Sequence, residues 1–469
     1  MRTKVWLSIL LCISMLAGCS FPANNSLELL ENGDKDGQGL TSDSSHGVKL
    51  QTADILVNQL GYQPEDNKIA ILQGSDLNSA FYIYDAVTDE AVMTGILKEA
   101  GLTAYQTDGK KSKEEDALYL ADFSGLKEEG YYYLFQKDLG YSDAFWIKAD
   151  IYTSLEAYIL EELAAENRDT SSLCYQLAGM LLALELYPDQ IQEPEELQRI
   201  LAEKTALLSQ AQNQESGGVY EAIAEAPEPS SEKANSGEPK EDEGTLAISL
   251  AATAEFAGVM AMYAGYLRSI DRVLADQYGR MAERAYTSIQ NSLDNVSYDA
   301  GYFAVAQLFK QTGKNKYAQP LGQYLSMREE QKSYTEYDFS LFGDYAYLSC
   351  NYSVNLEWSR QLMNKVMKQA ENISLTSSRE HYYISRQREH YEVDGILRDA
   401  AVMALVNYII TNHEYSTLQK NYLDYLLGRN PESCCLVEGF GTRNRPRQQE
   451  EMVDKENAAL FYLLLQSTK

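Results

Sequence analysis

The apolar pattern of this 469-residue chain changes period near residue 150, and that change constrains the fold more than any other feature. Before it, apolar residues come in short runs: Ile55–Val57, Ile69–Leu72, Phe81–Tyr84, Leu118–Leu120, Tyr131–Leu134 and Ala144–Ile147. Turn residues separate most of these runs at roughly ten-residue intervals, the spacing of a β-sandwich. After Tyr152, apolar residues recur three and four apart in 153–165, 173–187, 195–211, 247–268, 271–293 and 300–311. The same spacing continues in 315–327, 354–371, 396–411, 415–427 and 453–466. These segments predict about a dozen helices joined by shorter loops. A toroid of paired helices needs that many, and so does an α-solenoid. No fixed-length repeat is visible to favour the solenoid.

Three stretches fall outside both patterns. Residues 1–18 place Arg2 and Lys4 before an apolar run, Val5 to Leu16, which reads as an export signal. The run is too short to span a bilayer as a permanent helix. It ends in Leu16-Ala17-Gly18-Cys19, which resembles the lipobox of bacterial lipoproteins and makes Cys19 the expected lipidation site, with residues 1–19 as the signal and lipobox. Residues 20–52 are polar, without periodicity, and predict a flexible tether. Between Glu221 and Gly244 the chain reads EAIAEAPEPSSEKANSGEPKEDEG, which predicts a disordered acidic surface loop. These features point to a membrane-anchored protein on a bacterial cell surface, attached through its N-terminal lipid alone.

The net charge of -29 argues against a nucleic-acid partner and against an anionic-lipid face, since both reward clustered Lys and Arg. A neutral polymer such as a polysaccharide is compatible with it. Tyrosine is frequent, 35 residues against 12 phenylalanines. Its apolar face and polar tip suit stacking on sugar rings as well as helix packing. Beyond the leader only Cys174, Cys350, Cys434 and Cys435 remain, with no C-x-x-C or His-x-Cys spacing. They read as buried or free thiols, and no metal or other cofactor is expected.

Near the C-terminus, Tyr422, Leu423, Tyr425, Leu426 and Leu427 form an apolar helical face that should stop near Gly428, because Asn430-Pro431 disfavours helix. As a string, NYLDYLLGRNPESCCLVEGFG resembles the LDYLLGRNP…SFVTGFG segment of glycoside hydrolase family 9, the inverting β-glucanases. VNQLGYQPEDNKIAIL resembles the opening of the Ig-like domain that precedes many family 9 catalytic domains, and FYIYDAVTDEAVMTG and DFSGLKEEGYYYL fit its later strands. GGVY at Gly217–Tyr220, ISLAATAEFAGVMAMYA at Ile248–Ala264 and YFAVAQLFKQTGKNKY at Tyr302–Tyr317 are similar to further family strings. The resemblance covers most of residues 53–466 in order. It implies a multidomain β + α chain, an Ig-like β-sandwich at 53–148 followed by an (α/α)6 barrel at 152–466, and a β-glucan-like polysaccharide or oligosaccharide as ligand.

Inverting hydrolysis needs a protonated carboxyl for the leaving oxygen and an ionised one to activate water on the opposite face of the sugar. In family 9 the base comes from a DAGD loop before a LLLAYELFP-like string. That string is similar to Leu181–Pro188, but no DAGD occurs, and Asp169 is the only aspartate near the place. Before Thr-Ser-Ser, Asp169 also reads as a helix N-cap. The family pattern NExxxxxNAAL places the general acid at Glu451, six residues before Asn457, although Glu450 replaces the preceding asparagine. Glu450 and Glu451 read equally as solvated acids opening a last helix. The HHR motif is missing, and Tyr391-Glu392-Val393-Asp394 stands in place of WGSN. Tyr391, Asp394 and Tyr302 are the candidate sugar-contacting residues, and Asp394 is a second candidate base. Two readings follow: a barrel with lost or strongly reduced catalysis that binds glycan, and an active divergent glycosidase with Glu451 as acid.

Overall fold

Ten short strands precede the first helix in the computed structural model, which describes residues 51–100, 117–224, 247–328, 334, 338–380, 382–385, 393–443 and 452–469. They are β1 (Ile55–Leu56), β2 (Gly61–Tyr62), β3 (Ile69–Gln73), β4 (Ala80–Asp85) and β5 (Ala91–Ile96), then β6 (Lys98–Glu99), β7 (Leu118–Asp122), β8 (Gly130–Gln136), β9 (Gly140–Tyr141) and β10 (Phe145–Ile147). One sheet runs β1-β3-β7-β6 and the other β2-β10-β8-β4-β5, with β9 beside β8. The alternation in β4, β8 and β10 sends Phe81, Ile83, Tyr132, Leu134, Phe145 and Ile147 inward to a core that also holds Tyr62 and Phe123. Tyr62 meets the rings of Phe123 and Phe145 edge-on, with centroids 5.4 and 5.5 Å away. β5, which the sequence pattern leaves unmarked, is an edge strand with most positions exposed.

Among the described residues twelve α-helices follow: α1 (Thr153–Ala164), α2 (Thr170–Leu186), α3 (Pro194–Ser209), α4 (Leu250–Leu267), α5 (Arg272–Ile289) and α6 (Tyr298–Thr312), then α7 (Asn315–Met327), α8 (Ser340–Leu348), α9 (Leu356–Ser377), α10 (Val393–Ile409), α11 (His413–Leu426) and α12 (Ala458–Ser467). A two-residue ladder, β11 (Val219–Tyr220) with β12 (Ile248–Ser249), precedes α4. The even-numbered helices are buried on nearly every face and neighbour one another as an inner ring. The odd-numbered ones pack outside them; α3 buries only a stripe, Leu197, Ile200, Leu201, Lys204, Thr205 and Leu208. Such a one-sided stripe is what the 3.6-residue period detects. α8 escaped sequence reading because it has nine residues and buries eight of them, so it has no polar face to set a period.

The ring closes where α1 meets α12. The buried Glu156 carboxylate accepts hydrogen bonds from Gln466 Nε2 at 3.0 Å and Tyr462 Oη at 3.3 Å, and pairs with Lys469.

Sandwich and barrel share a core, since Leu56, Ile71 and Leu118 of the first sheet join the helical cluster. Polar contacts fix their relation. Asn58 Nδ2 donates to Asp424 Oδ1 at 2.9 Å, while Arg429 pairs with the same carboxylate at 3.2 Å. Gln59 donates from its backbone to Leu427 O and from Nε2 to Ser433 O, both at 2.9 Å. Its Oε1 accepts from Thr442 N and Arg443 N, both at 3.0 Å. Two of the three glycines of the C-terminal motif follow from this side chain. Gly428 (φ +120°) and Gly441 (φ +78°) lie in the region that side chains disfavour, and a Cβ on either would fall within 2.8 Å of Gln59 atoms.

Candidate functional site

The inner helices α2, α4, α6, α8 and α12 begin at one end of the barrel, and the segments preceding them form its mouth. Contacts between their N-terminal ends and the preceding segments bear this out. Asp299, in the first turn of α6, accepts a hydrogen bond from Phe339 N just before α8 at 3.3 Å. Gln176 of α2 donates to Lys455 O before α12 at 2.6 Å, and Thr170 Oγ1 donates to Tyr220 O of β11 at 2.7 Å.

Asp169 sits on this rim as the N-cap of α2. Its Oδ1 accepts from Ser172 N at 2.7 Å, and its backbone bridges to Ala222. The preceding residues are pinned as well: Arg168 donates to Ala224 O at 2.9 Å, and Asn167 Nδ2 to Ser172 Oγ at 2.8 Å. The extension of the GGVY segment therefore lies along the stretch where the family resemblance places the base.

One helix inward stands a group that the sequence reading passed over. Glu255 of α4 is 7% exposed, and its Oε2 has no hydrogen-bond partner. Burial drives its pKa up from 4.5 to about 7, and Asp299 and Asp169 push it the same way, against a hydrogen bond from Ser171. Its signal was legible as the single acid in the apolar string Leu250–Leu267. A second group of acids gathers Glu162, in the last turn of α1, with Glu438 and Asp454; burial first, then these neighbours, raise the Glu162 pKa. Carboxyls of unequal proton affinity on one rim are the raw material of acid–base chemistry. Among the described residues, no cluster of His, Cys, Asp and Glu is arranged to hold a metal ion.

Asp394 is half-buried in the first turn of α10, where its backbone carbonyl accepts from Arg398 Nε at 3.2 Å. Tyr302 corrects an expectation. It is fully buried on the inner helix α6, with Tyr298 and Tyr324 rings 5.8 and 6.2 Å away and Gly343 against its ring, so no face is open to a sugar. Glu451 and Tyr391, like Cys19, the leader, and most of the tether and of the acidic loop, lie outside the described residues.

The profile described as Glycosyl hydrolase family 9 matches residues 167–457, more than half of the chain. The chain belongs to glycoside hydrolase family 9. The family match begins at Asn167, inside the segment that precedes α2. A second profile, the cellulase N-terminal Ig-like domain, matches residues 50–140. Solved family 9 structures share the fold. One is a Bacteroides ovatus family 9 protein at 17% identity and TM-score 0.69, covering 89% of this chain and 99% of its own. A metagenome-derived family 9 endoglucanase gives 16% identity and TM-score 0.70, with coverage of 88% and 99%. AaCel9A in complex with cellobiose-like isofagomine gives 19% identity and TM-score 0.67, with coverage of 87% for both chains. No curated protein matches the sequence.

Proposed function

We propose that this family 9 protein is a cell-surface lipoprotein that binds β-glucan-like polysaccharide at the barrel mouth and has lost most or all of its hydrolytic power. The observation that carries this reading is the position of Asp169. The aspartate nearest the missing DAGD loop is engaged as a helix cap, at 2.7 Å from Ser172 N. An inverting mechanism requires a free base facing a water, roughly 6.5–9.5 Å from the acid. A carboxylate turned onto its own helix terminus is poorly placed for that task. Loss of general-base assistance lowers rates by about 10²–10⁴-fold. Glycan as ligand is supported by family membership and by the sugar analogue bound to AaCel9A. Anchoring is supported by the apolar leader and by Leu16-Ala17-Gly18-Cys19.

A second reading keeps the enzyme, with Glu451 as acid and Asp169 or Asp394 as base. The acids gathered around Glu255 favour it, because they hold a proton on the rim near neutral pH. Reducing-sugar release from mixed-linkage glucan and cello-oligosaccharides separates the two, with wild type run beside Glu451→Gln, Asp169→Asn and Asp394→Asn. Near-blank release by wild type is expected. Robust turnover that a carboxyl substitution abolishes would restore the enzyme. For the anchor, wild type should fractionate with membranes and Cys19→Ser should not; a soluble wild type without an acyl chain overturns it.

A further inference from the structure

The outward face of the β2-β10-β8-β4-β5 sheet departs from the rule that the wet side of an antiparallel sheet is polar. Its outward positions on the three central strands are Tyr82 and Tyr84 on β4, Tyr131, Tyr133 and Phe135 on β8, and Trp146 on β10. Register lines them up in three cross-strand pairs, Trp146 with Tyr131, Tyr84 with Tyr133 and Tyr82 with Phe135. Five of the six stand outside the buried core; Tyr133, between them, is 7% exposed beneath the rings of Tyr84 and Tyr141. They brace one another instead. The Trp146 and Tyr131 centroids are 4.6 Å apart, and the Tyr84 and Tyr133 rings stack at 5.4 Å and 4°.

We propose that this aromatic face is a second glycan site, on which a neutral β-linked polysaccharide lies with its sugar faces against Trp146 and the neighbouring tyrosines.

Three observations fix the kind of occupant. The barrel is covered by the other sheet, through Leu56, Ile71 and Leu118, so this face is not the domain contact. None of its six positions is charged, in a chain of net charge -29, and the acids that border it, Asp89 and Asp143, are engaged by the Tyr133 hydroxyl and Arg443, which suits a neutral ligand. Trp146 is 47% exposed, and the half-buried Tyr82, Tyr84 and Tyr131 combine ring surface with a polar tip suited to sugar hydroxyls, while Tyr133 gives its hydroxyl to Asp89 and serves as packing beneath them. Braced aromatics also lose little side-chain entropy on binding.

The strand that carries Trp146 is tied to the mouth segment. Asp143, between β9 and β10, pairs with Arg443 Nε at 3.0 Å, and its charge adds to burial in raising the Tyr131 pKa. Asp143 thus links the start of β10, three residues before Trp146, to Arg443 just beyond Gly441. A polymer held on the sheet would be presented to the barrel. The polymer class rests on the glycan reading above, but the surface is a different one.

The test is retention of the full chain in native gels containing neutral β-glucan, and on insoluble cellulose, beside binding of cellobiose-length ligands by calorimetry. Trp146→Ala and Tyr131→Ala should each weaken polymer binding roughly tenfold, with unchanged circular dichroism. Cellobiose-length binding should be unaltered by either. Polymer retention that is unchanged in both variants overturns the platform and leaves the mouth reading standing. Trp146-dependent polymer retention without binding of short ligands supports the platform and sinks the mouth reading. Failure of wild type to bind either ligand refutes both. If the variants convert a dimer to a monomer without altering retention, the face is a contact between copies and the proposal fails.

Discussion

Gln59 Oε1 accepts a hydrogen bond from the backbone N–H of Arg443 at 3.0 Å, linking residues 384 positions apart. One glutamine of the sandwich thus holds the segment that leaves the family signature for the mouth. Its amide also serves Thr442 N and Ser433 O. Gln59→Ala leaves these backbone groups without their partner, at a cost of about 3 kcal/mol. Thermal unfolding should show the loss, and hydrogen exchange of residues 433–443 should accelerate. An unchanged melting temperature would show that the bonds hold nothing in place.

Arg328 and Asp344 form a bidentate buried pair, at 2.9 Å (Nε–Oδ1) and 2.7 Å (Nη2–Oδ2), and Tyr334 Oη donates to the same carboxylate at 2.7 Å. Removing one partner leaves a buried charge, so Arg328→Met should destabilise by about 3–5 kcal/mol. Adding Asp344→Leu should recover part of that loss. Denaturant titration of single and double variants checks the order, and a double variant worse than both singles contradicts it.

Glu255 makes stability depend on pH. Its folded pKa is raised from 4.5 to about 7, so within that window the folded chain keeps a proton that the unfolded chain has released. Stability from this site is fully present below pH 4.5, falls as pH rises through the window and levels off above about 7. The shift sets an upper bound of about 3 kcal/mol. Glu255→Gln should flatten that part of the profile when unfolding is followed at pH 5, 6, 7 and 8. Parallel profiles for wild type and variant would place the titration elsewhere.

Asp169 distinguishes a cap from a base. Asn caps helices about as well as Asp, so Asp169→Asn should leave stability almost unchanged, whereas Asp169→Ala should cost about 1 kcal/mol. Equal melting temperatures for Ala and wild type would remove the capping role.

Much of this architecture was legible in the sequence, because the period change and the family strings depend on local residues. The runs at Ile69–Leu72 and Phe81–Tyr84 are strands, and the exit at Gly428 ends a helix. Contacts between distant strings were not legible. Nothing local says that Gln59 grips the chain beside Gly428 and Gly441, although both glycines are required by that grip. Tyr302 was misplaced for a similar reason, since helical spacing does not say whether a helix lies inside or outside the ring. Glu255 was overlooked because an acid inside an apolar helix matters only once its neighbours, Asp169 and Asp299, are known.

The proposed function is a barrel that binds glucan without cutting it effectively. The most direct measurement takes retention and product release from the same sample, with purified chain and mixed-linkage glucan and with Asp169→Asn run alongside. Predicted are a retained polymer, reducing-sugar release near the blank, and no difference between wild type and Asp169→Asn, which keeps the cap while removing the charge. Robust release by wild type that Asp169→Asn abolishes would contradict the account.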